Sequence, residues 1–171
     1  YIHAVYGLKV EVAATGVGLI FIGWAIASPL AGWLSDKIGK RKPVIIGSLI
    51  LSLIFMGLVL YLPHLSKLEL FILLFCYGLS NVGVATCYAV ACEMTDAKVA
   101  ATSMSFANMA SVIIGALFQP LIGFLLDHYA SKHVGKTFVY SASDFHFSMM
   151  ALPFCFVVGL CACFWLKETL N

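Results

Sequence analysis

Eleven consecutive residues, Gly32-Trp-Leu-Ser-Asp-Lys-Ile-Gly-Lys-Arg-Lys42, bring together one carboxylate and four cations in a chain of which only 11% is charged. These residue types form ion pairs and hydrogen bonds rather than make or break covalent bonds. Asp36 can face the positive end of a neighbouring helix, a favourable arrangement when partly buried. Arg41 can pair with Glu93, which falls at the same end of the chain's apolar runs. Gly32 allows two helices to approach closely and Gly39 permits a tight turn. The alternative reading of the same loop is an anchor that fixes topology without any switching role, since basic loops flanking membrane helices set their orientation.

A second set of chemically capable residues lies inside the apolar runs. Polar groups in a bilayer are costly and tend to face a bundle interior or a wet cavity. At 100° per residue, Tyr77, Asn81 and Tyr88 fall within about 40° of one another on a single helix. Asn108, Ser111, Gly115 and Gln119 form a comparable stripe on the next run. Two such faces suggest a shared cavity that hydrogen-bonds a small polar solute. Ala107, Ser111 and Gly115 repeat at four-residue spacing, which equally marks a helix–helix contact, and Asn or Gln also act as hydrogen-bonding glue between helices. Gln119-Pro120 frees a backbone carbonyl and bends its helix.

Catalysis finds no footing. The sequence offers no clustered nucleophile, carboxylate pair or metal set, and the chain is not read as an enzyme. The six cysteines, Cys76, Cys87, Cys92, Cys155, Cys161 and Cys163, form no CxxC, pair with no His at a metal spacing and read as packing residues. No metal and no cofactor is expected. No acid or His falls near the middle of an apolar run, so proton coupling through these residues has no support, and a coupling ion, proton or sodium, stays open.

The elements that must position these residues follow from composition. Over 171 residues, 62% are hydrophobic and the mean hydropathy is +1.01. A soluble domain carries about 25% charged residues, so the solvent for this chain is lipid. A net charge of +2 is too small to imply nucleic acid. A membrane helix needs about 20 apolar residues. Five runs qualify, at 12–34, 44–62, 70–92, 101–126 and 147–166. The fold class is therefore all-α, a polytopic membrane helix bundle. Pro29 is expected to kink the first span. Pro43 opens the second, which is nearly featureless and expected to face lipid on most sides. A turn from Pro63 to Glu69 leads to the third, and Ser143 or Asp144 suits as N-cap of the fifth.

Alternate loops put Lys37, Lys40, Arg41, Lys42, Lys98 and Lys167 on one side, against Lys9, Lys67, Lys132 and Lys136 on the other. By the positive-inside rule the loop 35–43 and the C-terminal tail are cytoplasmic. The protein is expected in the cell membrane, the inner membrane if the source is bacterial. His3, His64, His128, His133 and His146 then fall on the outer side, where they read as loop polarity.

The run Gly32-x-Leu34-x-Asp36-x-x-Gly39-Lys40-Arg41-Lys42 closely resembles the signature loop of the major facilitator superfamily, Gly-x-Leu-x-Asp-x-x-Gly-Arg-Arg/Lys, with Lys40 in the first basic place. Members have twelve membrane helices in two six-helix halves, each built from inverted three-helix repeats. The signature joins helices two and three, and in weaker form eight and nine. The fourth span looks like an eleventh helix, and Leu166-Lys-Glu-Thr169 looks like the short tail after a twelfth. The resemblance thus implies that residues 1–171 are a C-terminal bundle holding helices eight to twelve. Its partners would be the N-terminal half and helix seven of the same polypeptide, the lipid bilayer and a small-molecule substrate.

The family's central site lies between the halves and draws on helices seven, eight, ten and eleven, which adds Trp24 and Ser28 to the candidate binding residues. In the family, contacts like those of Asp36 and Arg41 hold the outward-open state and break when the cytoplasmic side opens. The resemblance implies a secondary active transporter moving an amino acid, sugar or organic acid by alternating access. A channel-like or scaffold membrane protein without transport activity is the competing expectation. Five spans without their partner half are not expected to transport alone.

Overall fold

Apolar runs set between capping residues become helices. A computed structural model describes residues 1–62, 64–130, 132–134 and 137–169, with the backbone alone for 132–134 and 137–139. Pro63, Lys136 and the last two residues of the tail lie outside the described residues, as do Ser131 and Gly135. In chain order the elements are α1 (Ile2–Tyr6), α2 (Val10–Ile38), α3 (Lys42–Tyr61), α4 (Lys67–Ser80), α5 (Gly83–Glu93), α6 (Ala100–Tyr129), β1 (Lys132–Val134), β2 (Thr137–Val139), α7 (Ala142–Met149) and α8 (Ala151–Cys163). Taking α4 with α5 and α7 with α8, five helical segments are long and apolar enough to cross a bilayer. The architecture is a polytopic membrane helix bundle. The one non-helical element among the described residues is the antiparallel hairpin β1–β2, pairing Lys132 with Val139 and Val134 with Thr137 in the long polar loop.

Helix ends follow local chemistry more closely than hydropathy does. The third span begins at Lys67 because Ser66 and Glu69 form a capping box: Ser66 Oγ accepts from the Glu69 amide at 3.3 Å and Glu69 Oε2 accepts from the Ser66 amide at 2.7 Å. The fifth segment starts at Ala142, five residues earlier than its hydropathy indicates. Its N-cap is Ser141, with Asp144 completing the box at N3, rather than Ser143 or Asp144 themselves. That segment is interrupted at Met150. Pro153 has no N–H to give the Met149 carbonyl four residues back, so the ladder breaks there. Pro43 sits in the first turn of α3, where its missing donor costs nothing. Pro29 and Pro120 both lie inside helices that continue past them.

The second span is not the featureless lipid-facing helix that its composition suggests. Val44, Ile45, Ser48, Ser52, Val59 and Leu60 of α3 are buried on one face, and that face packs on α4, α5 and α8. Two serines on it repair a gap in the third span, whose helix stops at Ser80 and restarts at Gly83. Ser48 Oγ donates to the Ser80 carbonyl at 2.7 Å and accepts from the Gly83 amide at 2.7 Å. Ser52 Oγ lies 3.0 Å from Ser80 Oγ, which donates to the Tyr77 carbonyl. With no water available, these hydroxyls stand in for the lost i→i−4 bonds. Ser48→Ala leaves two buried backbone groups without partners and is expected to cost about 1–2 kcal/mol. A thermal melt in detergent reads this as a lower Tm, and an unchanged Tm would show that the gap needs no hydroxyl.

Two apolar clusters sit toward opposite ends. Ile45, Val90 and Cys163 join α3, α5 and α8, while Val59, Leu70 and Leu74 join α3 to α4, with Tyr1, Tyr6 and Ile20 against them. The tightest crossing is α2 on α4, where Gly23 and Gly78 bring the two backbones into contact. α6 touches mainly α5 and α7 and has no buried residue. Its exposed Phe106, Val112, Leu117 and Phe124 form an apolar surface suited to lipid or to further helices.

Candidate functional site

One end of the bundle is organised around Arg41. α2 runs out through Ser35 and Asp36 and is stopped by Gly39, whose φ of 70° is the left-handed conformation that ends helices. The chain then turns so that Arg41 becomes the N-cap of α3, 9% exposed. Its guanidinium uses three of its edges. Nη1 meets Asp36 Oδ1 at 2.7 Å and also donates to Ser35 Oγ. Nη2 and Nε both reach Glu93 Oε1, at 2.6 and 3.1 Å. Ser35 is fully buried, and its hydroxyl donates a hydrogen bond to the Gly32 carbonyl at 2.9 Å. Hydrogen bonding to Glu93 is the largest cause raising the Arg41 pKa; burial opposes it, and the charges of Glu93 and Asp36 add to the rise. The planar fork suits this arrangement in a way a lysine ammonium cannot.

Two sequence expectations about this loop are corrected. Asp36 does not face a helix N-terminus; its carboxylate, 65% exposed, goes to the Arg41 side chain. The N-terminus of α3 is instead capped by Glu168, whose Oε1 and Oε2 accept from the Arg41 and Lys42 amides at 2.5 and 3.2 Å. Gly32 does not mark a close helix approach either, since a Cβ there would meet nothing within 4 Å.

The tail is part of the cluster, a role that its reading as a short segment after the last helix does not include. Thr169 Oγ1 donates to Glu93 Oε2 at 2.5 Å. Lys42 Nζ donates to the Phe164 and Leu166 carbonyls at 3.3 and 3.2 Å, where the last carbonyls after α8 lack helical donors. α3 and the chain after α8 therefore clasp reciprocally, an acid from the tail on one helix start and a base from that start on the tail. The available signal was Glu168-Thr169 directly after an apolar run, in a chain poor in charge. Glu168→Gln is expected to lower Tm by a few degrees, about 0.5–1 kcal/mol for a lost charged cap. An unchanged melt would show that the tail does not hold α3.

The polar candidates inside the bundle divide. A cavity of about 370 Å³ lies between α3, α5, α6 and α8, and Asn81, Tyr88 and Ser111 all line it, with Ser48 and Cys87. Tyr88 donates to Asn108 Oδ1 at 3.0 Å, linking α5 to α6. Tyr77 does not join them; its ring meets Phe156 of α8 edge-on at 6.5 Å. Tyr77 of α4 lies one turn before Asn81, and Phe156 lies about one turn before the cavity's Gly159 on α8, so that contact sits next to the cavity and outside it. Trp24 and Ser28 on α2 also stand apart from the cavity. Ser28 Oγ donates to the Trp24 carbonyl at 2.7 Å, while Trp24 Nε1 is buried without a partner among the described residues. Gln119 is exposed on α6 and does not line the cavity. A Cβ at Gly115 would meet nothing within 4 Å, so the Ala107, Ser111, Gly115 repeat is not a helix contact along its length. Among the described residues no group of three His, Cys, Asp or Glu is placed to hold a metal.

Comparison with known proteins gives one match. No curated protein and no solved structure matches the chain. Residues 1–170 match the model of the Major Facilitator Superfamily, which covers the charged loop, all five membrane segments and the tail as far as Leu170. The chain belongs to the Major Facilitator Superfamily, and is a multi-pass membrane protein of that transporter superfamily.

Proposed function

We propose that these residues form the C-terminal half of a secondary active transporter and carry helices eight to twelve. A small polar solute, an amino acid, sugar or organic acid, crosses by alternating access between this half and an N-terminal half with helix seven. The observation that carries the proposal is the Arg41 cluster. One guanidinium ties the end of α2, the end of α5 and, through Glu93 and Thr169, the tail after α8. Such a cluster rigidifies one end of the bundle in a single state, and it can be dismantled without unfolding any helix. With loop 35–43 on the cytoplasmic side, it stabilises the state closed to the cytoplasm. Gly32 and Gly39 shape the loop, while Asp36, Arg41 and Glu93 are the latch.

Asn81, Tyr88, Asn108 and Ser111 are the groups most suited to meet solute, because three of them share a cavity and the fourth is bonded to Tyr88. Trp24 Nε1 is a donor free to turn to solute from α2. Tyr77, Ser28 and Gln119 are secondary candidates. The coupling ion, proton or sodium, would be handled by groups outside these residues. The test is uptake by the full-length protein in proteoliposomes across a panel of labelled amino acids, sugars and carboxylates. One class is expected to saturate, and Tyr88→Phe to raise its KM about threefold to tenfold with kcat little changed, as for one lost neutral hydrogen bond. Uptake of none of them by folded, inserted protein would favour a scaffold without transport activity.

A further inference from the structure

We infer that the cleft between the start of α3 and the tail seats the phosphodiester headgroup of an anionic phospholipid. The cleft, about 600 Å³, is lined by Lys40, Lys42, Pro43, Ile46, Gly47 and Glu168. It combines a charged rim with an apolar floor. Pro43, Ile46 and Gly47 continue along α3 into the membrane-crossing segment, so an acyl chain can follow them from a headgroup held above.

The electrostatics select an anion. Arg41 is spent on Asp36 and Glu93 and offers nothing to the cleft. Among the described residues Lys42 Nζ bonds to the neutral carbonyls of Phe164 and Leu166 and makes no ion pair. Lys40 makes no ion pair among the described residues. The single acid at the rim, Glu168, has its carboxylate turned to the Arg41 and Lys42 amides. Two cations therefore face one anion that is already satisfied by a helix N-terminus.

Its depth is that of a lipid headgroup. Lys37 lies 4.9 Å over the ring of Trp33, which is 60% exposed one turn before the loop. Trp165 and Phe164, beside the tail, are exposed as well. Exposed Trp with Lys at a helix end marks the membrane–water boundary, and a basic pocket between membrane helices at that level recognises acidic headgroups. A free phosphate would meet the lysines but would leave the apolar floor uncovered. The inference stands apart from the transport reading, because it needs only that the helices cross a bilayer.

The test titrates the full-length protein in detergent with dioleoyl phosphatidylglycerol and, separately, dioleoyl phosphatidylcholine, counting retained lipid by native mass spectrometry. Phosphatidylglycerol is expected to bind at least about fivefold more tightly, the effect of one surface lysine. Lys40→Glu should abolish the preference, Lys40→Arg should keep it, and Lys67→Gln at the far end should leave it unchanged. Among the described residues Lys40 holds no other side chain, so its variants are expected to fold, and an unshifted melt in phosphatidylcholine checks this. Equal binding of the two lipids would overturn the inference, as would a preference that survives Lys40→Glu and Lys42→Gln together. Displacement of bound lipid by millimolar inorganic phosphate would also overturn it, by assigning the cleft to a free anion.

Discussion

Gly78→Val is expected to prevent recovery of folded protein, and Gly78→Ala to lower Tm by many degrees. A Cβ at Gly78 would lie 2.1 Å from the Ile20 carbonyl oxygen and 2.8 Å from the Ile20 Cα. Both are backbone atoms of α2, and a helix backbone cannot step aside as a side chain can. The facing glycine repeats the constraint: a Cβ at Gly23 would lie 2.6 Å from the Phe75 carbonyl oxygen. Relief requires α2 and α4 to separate, giving up the closest packing in the bundle. Lipid chains are as apolar as leucine, so close packing is a main source of helix association in a membrane. Overpacking of a well-packed site typically costs about 1–3 kcal/mol, and a clash between two backbones lies at or beyond the upper end. Gly57→Ala is the matched control, because a Cβ there meets nothing within 4 Å. It is expected to be neutral, or to stabilise α3 by up to about 1 kcal/mol. Size-exclusion profiles of fluorescent fusions read both outcomes, and a monodisperse Gly78→Val peak at the level of the parent would refute the crossing.

Arg41→Ala is expected to cut the rate of transport by tenfold or more while solute binding survives. Its removal leaves the Asp36 and Glu93 carboxylates without their shared cation and the buried Ser35 hydroxyl without its donor. The Asp36 pair contributes little, because Asp36 is 65% exposed and screened by water. The Glu93 pair, with Glu93 26% exposed, carries more, so the loss is about 1.5–3 kcal/mol. It falls on the state that makes these contacts. A contact made in only one of two states biases their equilibrium by its full differential energy, and about 1.4 kcal/mol is tenfold. Arg41→Lys should recover little, since a point charge cannot span Asp36, Ser35 and Glu93 as the fork does. Glu93→Gln keeps the shape and removes one charge, and should fall between. Exchange rates and solute Kd measured on the same preparations separate the cases. Equal losses in rate and affinity would place Arg41 in the binding site and not in a latch.

Much of this was legible in the sequence, for reasons that particular residues make plain. The apolar runs and the cluster of Lys37, Lys40, Arg41 and Lys42 gave the number of membrane segments, and the loop pattern gave the family, which the match over residues 1–170 shows. Length and hydropathy suffice there because a bilayer imposes both. What hydropathy could not give was the interruption at Asn81. Ser80 and Asn81 are two polar residues inside an apolar run and do not by themselves mark a break; the gap is held by Ser48 and Ser52, more than thirty residues earlier for the first of them. The tail was hidden for a similar reason: Glu168 and Thr169 act through contacts 127 and 76 residues away. Asp36 was assigned to a helix dipole that the sequence cannot show to be already occupied.

The most direct measurement is solute counterflow by the full-length protein in proteoliposomes, with Asp36→Asn assayed beside the parent. Asp36 is exposed and its carboxylate pairs with Arg41, so its loss should leave folding and the cavity intact. Saturable uptake by the parent, several-fold slower in Asp36→Asn at an unchanged solute Kd, is the expected result. Uptake equally fast in Asp36→Asn would contradict a switching role for the Arg41 cluster, and uptake of no solute by either protein would contradict transport itself.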